Sequence, residues 1–494
     1  MGQLIARIRP AAFVIALPAA WVVGLYSAST APLQDLWRPL LIVLALSLII
    51  AVALQILWPD RRSPPIVAGA AWLWALGAWP LALAVVSIVA WRALVDRLRA
   101  MQGRKAVTEP AAQQVTRVLS ALGVAGLVVA AVGVLNSGAV LNAGASEGSV
   151  SLSVGSDPPS IHLILLDGYP SASTLADRFG FDNEPFEAAL AERGFAVADD
   201  SRSHYNRTLL TLASMLHMRY VDAIPSLQPP RDGFAAQNRQ LTASINSAPV
   251  PSMLKEAGYR TVTVSSSYGE ATLTSADEVV HTGAMTLFEE QLLRFTAVGN
   301  WLVSTNPGLV AEQHRSGVRA VLAAIGQTPG SRSVPQFSLV HVFSPHTPFV
   351  FNADGSDRPV HDCYPRFCGL TTPEADRIGW DLGRYGDALT GQIEYLNGEL
   401  LDAVDRVVSA DPDAAVILFS DHGARFEEGP TDEHFETFFA ARTPAHEDLF
   451  AGSVTLVNTF PMLFNAYFGT DLRLLEYRAA WAPDEAPLEP VPVD

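Results

Sequence analysis

Two distant segments share one design: Ile161-His-Leu-Ile-Leu-Leu-Asp-Gly168 and Val416-Ile-Leu-Phe-Ser-Asp-His-Gly423. Each is an apolar run of strand length that ends in an acidic residue followed closely by glycine, and the second adds a histidine directly after the acid. In an open α/β sheet, ligands bind just beyond the carboxyl ends of parallel strands. Asp167, Asp421 and His422 are therefore expected to converge at one sheet edge, where two carboxylates and an imidazole suit a divalent metal ion. By itself an Asp after a strand is a turn or cap residue; the Asp-His partner is what gives Asp167 chemical meaning.

Two further segments can act beside such an ion. In Ser203-His-Tyr-Asn-Arg-Thr-Leu-Leu-Thr-Leu-Ala-Ser214, a polar loop enters a helix near Thr208, with Leu209, Leu212 and Leu216 on one face. Helix N-termini attract anions, and a hydroxyl there, touching a metal, can ionise and attack phosphorus. Without the metal cluster Thr208 reads as an N-cap. In Ser338-Leu-Val-His-Val-Phe-Ser-Pro-His-Thr-Pro-Phe-Val-Phe351 a strand runs into a proline-fixed loop that presents His346, placed to protonate a leaving group. His341, inside that strand, reads as a core or supporting residue. His434, in Asp432-Glu-His-Phe, is a candidate for a second metal set but reads rather as a surface histidine. Arg425, with Arg202 and Arg207, flanks the motifs and is a candidate to hold an anionic group.

The elements that must position these residues follow from patterning. The chain has 494 residues, 49% of them hydrophobic, and a mean hydropathy of +0.22. The apolar excess sits in stretches 11–27, 38–57, 64–91 and 117–141, as bilayer-spanning helices require. Gly77 and Pro80 interrupt the third, so the region reads as four or five helices. Residues 1–150 carry 11 basic and 5 acidic side chains of a chain whose net charge is −17. The acidic remainder excludes nucleic acid as a partner. Arg92, Arg97, Arg99, Arg104, Lys105 and Arg117 mark a cytoplasmic loop by the positive-inside rule, which places everything after about residue 142 outside. The stretches lack the buried charges of a transport path.

Residues 142–160 read as a linker and 161–475 as an α/β domain with a mainly parallel sheet. Expected strands are 161–166, 261–265, 336–343 and 414–420. Expected helices are 183–194, 208–217, 250–257, 312–325, 384–408 and 458–468. The segment 476–494 reads as a loose tail. Cys363 and Cys368, close together on the outer side, form a local disulfide or remain two thiols.

In order, Leu-Leu-Asp167-Gly-Tyr-Pro, Asn206-Arg-Thr208 with Leu-Ala-Ser-Met-Leu, Ser-Pro-His346-Thr-Pro-Phe and Ser-Asp421-His422-Gly resemble the alkaline-phosphatase/sulfatase superfamily. The likeness is to its membrane-anchored, sulfatase-like branch, similar to lipoteichoic acid synthases and phosphoethanolamine transferases. That resemblance implies one divalent cation (manganese, zinc, magnesium or calcium) held by Asp167, Asp421, His422 and Thr208, with Thr208 as nucleophile and His346 facing the substrate. It also implies an enzyme of a cytoplasmic (inner) membrane, multi-pass, with an extracytoplasmic catalytic domain. Its substrate would be a lipid-linked or cell-envelope phosphodiester. Thr208 departs from the Cys/Ser-x-Pro-x-Arg motif of arylsulfatases, so phosphoryl transfer is expected over sulfate ester hydrolysis. The other readings are a sulfuric ester hydrolase and an idle sulfatase-like protein that binds envelope glycopolymers.

Overall fold

The computed structural model describes residues 12–57, 95, 98–103, 120–121, 123–134, 151–153, 155, 158–227, 233–283, 285–327, 334–359 and 371–493. By their contacts these fall into two compact units, one of residues 1–141 with 287–305 and one of 142–286 with 306–494. The third apolar stretch, and the Cys363–Cys368 pair with its expected disulfide, lie outside the described residues.

In the first unit, α1 (Ala12–Ala28) packs on α2 (Gln34–Leu57) and on the helical residues 123–134. Gly123, Gly126 and Gly133 face Ala16, Ala20 and Ser27, and small residues on both sides let the backbones approach closely. The outer face of α2 is apolar, with Trp37, Leu41, Ile42, Leu46 and Ile49 exposed. Much of its last two turns has side chains outside the description; among the described residues no helix is long and apolar enough to cross a membrane.

The second unit is built on a seven-stranded sheet in the order β2-β8-β7-β1-β6-β4-β5. Its strands are β1 (Ile161–Leu166), β2 (Ala196–Val197), β4 (Arg260–Ser265), β5 (Glu278–His281), β6 (Gln336–Val342), β7 (Ala415–Phe419) and β8 (Phe439–Arg442), while β3 (Asp200–Arg202) pairs with β9 (Ser453–Thr455) apart from it. The five from β7 to β5 run parallel, and β8 is antiparallel to β7. β1 lies at the centre and is buried along its whole length, so it reads as an unbroken apolar run rather than an alternating one.

One face of the sheet shows Leu163, Leu165, Phe337, Leu339, Ile417 and Phe419 to a core shared with four helices. The other face is covered chiefly by two long helices. In chain order the remaining helices are α3 (Ala172–Phe179), α4 (Glu184–Ala191), α5 (Thr208–His217), α6 (Phe234–Asn246), α7 (Pro249–Glu256), α8 (Leu287–Phe295), α9 (Ala297–Thr305), α10 (Pro307–Ala324), α11 (Thr372–Arg377), α12 (Leu382–Ala410) and α13 (Thr459–Phe468). Helices α5, α6, α7 and α13 cover the first face and α10 and α12 the second. α5 is buried at every position, as expected of a helix apolar nearly all round.

The segment after Tyr477 is not loose. β10 (Ala479–Trp481) and β11 (Val491–Val493) pair antiparallel, and Ala482 and Leu488 are buried. Main-chain groups hold it: Asn206 Nδ2 donates to Ala482 O at 3.2 Å and Asn206 Oδ1 accepts the Ala482 N–H at 2.8 Å. Residue polarity carries no sign of this, because peptide groups supply the anchorage.

Candidate functional site

β6, β1 and β7 stand side by side and parallel, so their carboxyl ends open on one edge. Asp167 follows β1. Its N–H donates to Val342 O at the end of β6 (3.1 Å), and its carbonyl accepts the His346 N–H (2.8 Å). The end of β7 is tied in just as firmly. Gly168 N–H donates to Asp421 Oδ1 (3.1 Å) and Tyr169 N–H to Ser420 Oγ (2.8 Å). Gly168 takes φ +73°, and a Cβ there would lie 3.1 Å from His422 Cε1, so glycine serves both the turn and the close approach.

These ties bring the expected ligands together. His422 Nε2 is 3.3 Å from Asp167 Oδ1 and 3.6 Å from Asp421 Oδ2. All three atoms are buried, and none has a hydrogen-bond partner. His422 Nδ1 lies 2.9 Å from Gly423 O, which puts the proton on Nδ1 and turns the Nε2 lone pair toward the carboxylates. Buried polar atoms are seldom left unsatisfied. Donors about 2.1 Å from a common ion stand about 3.0–3.4 Å apart. The set of two carboxylate oxygens and an imidazole nitrogen fits a divalent cation.

Among the described residues, the group whose donor atoms all lie within 4.8 Å of one another is Asp167, His346 and His422, which takes in His346 and leaves out Asp421. His346 Nδ1 contacts Thr347 O at 2.7 Å, and its ring stacks on Phe343 with centroids 4.9 Å apart. Burial pushes the His346 imidazole below its ordinary range, with Asp167 opposing. Burial likewise works to raise the Asp167 carboxyl, but neighbouring His346 and the hydrogen bond from His341 outweigh it and hold the group well below the usual carboxylate range.

His341 supports this arrangement, as the sequence suggested. It pairs with Leu165 in the strand register, on the face that Asp167 shares by the two-residue period. Its Nε2 lies 2.9 Å from Asp167 Oδ2, and its Nδ1 2.9 Å from Ser266 Oγ. The carboxylate can only accept, so His341 donates to it and receives from Ser266. Ser266, just beyond β4, was not foreseen; nothing in its local sequence marks it.

Thr208 opens α5 and is buried. One turn on, Thr211 Oγ1 donates to Asp421 O at 3.0 Å, which fastens the head of α5 to the residue that carries the carboxylate. Arg207, at the N-cap, makes no side-chain cap, so the first amides of α5 have no local side-chain acceptor there. The three arginines separate. Arg202 pairs with Asp200 and Glu436, and Arg207 reaches Ala482 O and Asp484. Arg425 lines, with His346 and His422, an open cleft whose apolar wall includes Phe349, Tyr385 and Leu389. Its side chain donates to Asn206 O, and its buried Nε has no partner.

His434 is not a surface residue. It is buried, with Nδ1 2.7 Å from Thr431 Oγ1 and its ring edge-on to Trp481 at 4.9 Å. Its carbonyl accepts the Gly423 N–H, and a Cβ on Gly423 would fall 1.9 Å from Glu433 O. The polar triplet Asp432-Glu-His hid a turn folded beneath the Asp-His-Gly loop.

Residues 163–451 match the family model described as Sulfatase. No curated protein matches. Among solved structures, the C-terminal periplasmic domain of EcEptC from Escherichia coli in complex with zinc aligns at 13% identity and TM-score 0.45, covering 70% of this chain and 96% of that one. The integral membrane lipooligosaccharide phosphoethanolamine transferase A from Neisseria meningitidis aligns at 11% and 0.40, covering 83% and 70%. The phosphonate monoester hydrolase of Agrobacterium radiobacter aligns at 13% and 0.41, covering 65% and 80%.

Proposed function

The chain belongs to the Sulfatase family, and from that premise we propose that it is a membrane-anchored, metal-dependent phosphotransferase or phosphodiesterase. It acts on phospholipid or cell-envelope phosphodiesters through Thr208, at the outer face of a cytoplasmic membrane. The observation that carries this reading is the trio of unpartnered buried atoms, Asp167 Oδ1, Asp421 Oδ2 and His422 Nε2, beside the head of the helix that Thr208 opens.

Asp167, Asp421 and His422 would hold the cation, with Thr208 as the fourth ligand. When bound, it would lower the hydroxyl pKa and offset charge on phosphoryl oxygens. Thr208 Oγ1, its proton lost to solvent, attacks phosphorus in line; the Oγ1–P bond forms as the bond to the leaving oxygen breaks. The Thr347 carbonyl holds a proton on His346 Nδ1, which leaves Nε2 for the substrate. An anionic phosphodiester beside Nε2 raises its proton affinity, and the proton gained there passes to the leaving oxygen. Arg425 and the amides at the start of α5 hold non-bridging oxygens. A second alcohol or water then attacks the phosphothreonine and regenerates Thr208.

The apolar N-terminal stretches support the anchor, and a lipid-linked donor or acceptor gives the anchor a purpose. The test is turnover of a chromogenic phosphodiester and a matched sulfate ester by the full-length protein, stripped of metal and reloaded with each of the four cations. Phosphodiester cleavage is expected to dominate, and Thr208→Ala to lower kcat about 1,000-fold or more. Equal turnover by the variant would eliminate the covalent route.

A further inference from the structure

Helices α8 and α9 interrupt the α/β unit in sequence, between β5 and α10, yet they pack within the N-terminal helical unit. Phe288 and Leu292 are buried among Val22, Val23, Tyr26 and Leu36. The Phe288 ring meets Tyr26 edge-on at 5.7 Å, and Glu289 pairs with Arg38. These partners sit at the end of α1 and the start of α2, on either side of the turn at 29–33. Gly299 lets α9 fold back on α8, since a Cβ there would meet Leu293 O at 2.0 Å.

With the apolar stretches read as membrane spans, connectivity sets the side on which this helix pair sits. Residues 287–305 follow the last apolar stretch, so they share the side of the α/β unit, opposite the basic loop at 92–117. We propose that α8 and α9 lie in the headgroup layer on the outer face of the membrane and clasp the α1–α2 turn there. This orientation sets the chain's first residues and the Arg61-Arg62 segment on the cytoplasmic side. The inference rests on reading the apolar stretches as membrane spans.

Two independent features agree with it. The outward side of the helix pair carries Phe295, Val298 and Trp301, exposed by 60%, 49% and 63%, at the same end of the unit as exposed Trp37 on α2. Aromatic and aliphatic side chains gathered there suit the interface, where Trp concentrates. Their apolar surface continues that of α2, so one occupant, lipid, covers both. The orientation also collects Arg7, Arg9, Arg61 and Arg62 with the basic 92–117 loop, as the positive-inside rule demands. An N terminus inside and an α/β unit outside require an odd number of crossings, as the five-helix reading of the sequence provides.

The experiment uses the full-length chain with Cys363 and Cys368 replaced by alanine, expressed in cells converted to spheroplasts. Ala28→Cys, an exposed position beside the turn, is expected to react with a membrane-impermeant maleimide in intact spheroplasts. Ser63→Cys is expected to react only after permeabilisation. A spin label on Val298→Cys in nanodiscs is expected within about 5–10 Å of the headgroup–acyl boundary by oxygen and nickel accessibility. Reversed labelling, a spin label in bulk water, or one coupled to a second copy overturns the proposal while leaving the membrane spans intact. Release of the full-length chain by alkaline carbonate removes the spans and the proposal together.

Discussion

Asp167 has a different neighbour on each oxygen: Oδ2 faces the donor of His341, while Oδ1 faces the lone pair of His422. Leaving a buried acceptor unmatched costs about 1–3 kcal/mol, and a cation between Oδ1, Asp421 Oδ2 and His422 Nε2 removes that cost three times over. His341 orients the carboxylate without touching the ion. His341→Gln is therefore expected to weaken metal binding about 10- to 100-fold with little change in the fold, read by competition with a fluorescent chelator and by circular dichroism. Unaltered affinity would show that Asp167 needs no such support. Gly168→Ala combines a left-handed backbone with a Cβ pressed on His422. It is expected to cost about 1–2 kcal/mol of stability and to weaken metal binding as well. An alanine variant with wild-type melting and affinity would contradict that geometry.

At the scale of elements, β1 carries a second histidine with the opposite duty. His162 is buried between β1 and β6, its Nδ1 2.7 Å from Ser338 Oγ. Burial lowers its imidazole to about 4, and Asp411 only partly opposes this. The unfolded chain, titrating near 6.5, takes up the proton first as pH falls. The stability this neutral ring contributes is thus complete above about pH 6.5 and is lost progressively toward pH 4, by up to roughly 3 kcal/mol. Buried His204, His314 and His434, each lowered to about 3, act in the same sense. Urea denaturation between pH 7 and 4 is expected to show falling stability in the wild type and a shallower slope in His162→Asn.

The same elements show what could be read from the residues. β1, β7 and α5 were legible because burial on all sides leaves continuous apolar runs, which end in a visible change of chemistry. That Asp167, Asp421, His422 and His346 share one edge was legible because strand ends in a parallel sheet must open on the same side. α6 was missed: its Gln, Asn, Thr and Ser are buried through hydrogen bonds, such as Gln240 Nε2 to Ser226 O, that no hydropathy pattern reveals. Ser266 escaped for the same reason, since its partner His341 comes from a remote part of the chain, while His434 was hidden by the polar triplet around it.

At the scale of the whole molecule, the second unit depends on residues far from the strands that carry its candidate site. Removing residues 479–494 deletes β10 and β11 and strips Asn206, Arg207 and Gln237 of partners. At about 1 kcal/mol for each lost hydrogen bond, with the burial of Ala482 and Leu488 added, the truncation is expected to destabilise this unit by about 3–5 kcal/mol. Activity should fall with it, because Asn206 and Arg207 immediately precede Thr208. Full kcat and unchanged urea midpoints in the truncated protein would show the tail to be dispensable.

The clamp between Asn206 and Ala482 also has a temporal consequence. A ribosome completes the loop before Thr208 long before it reaches Ala482, which lies 276 residues beyond Asn206. On the proposed reading, the emerging polypeptide therefore carries its nucleophile without the strap that seats it until that distant residue has been made.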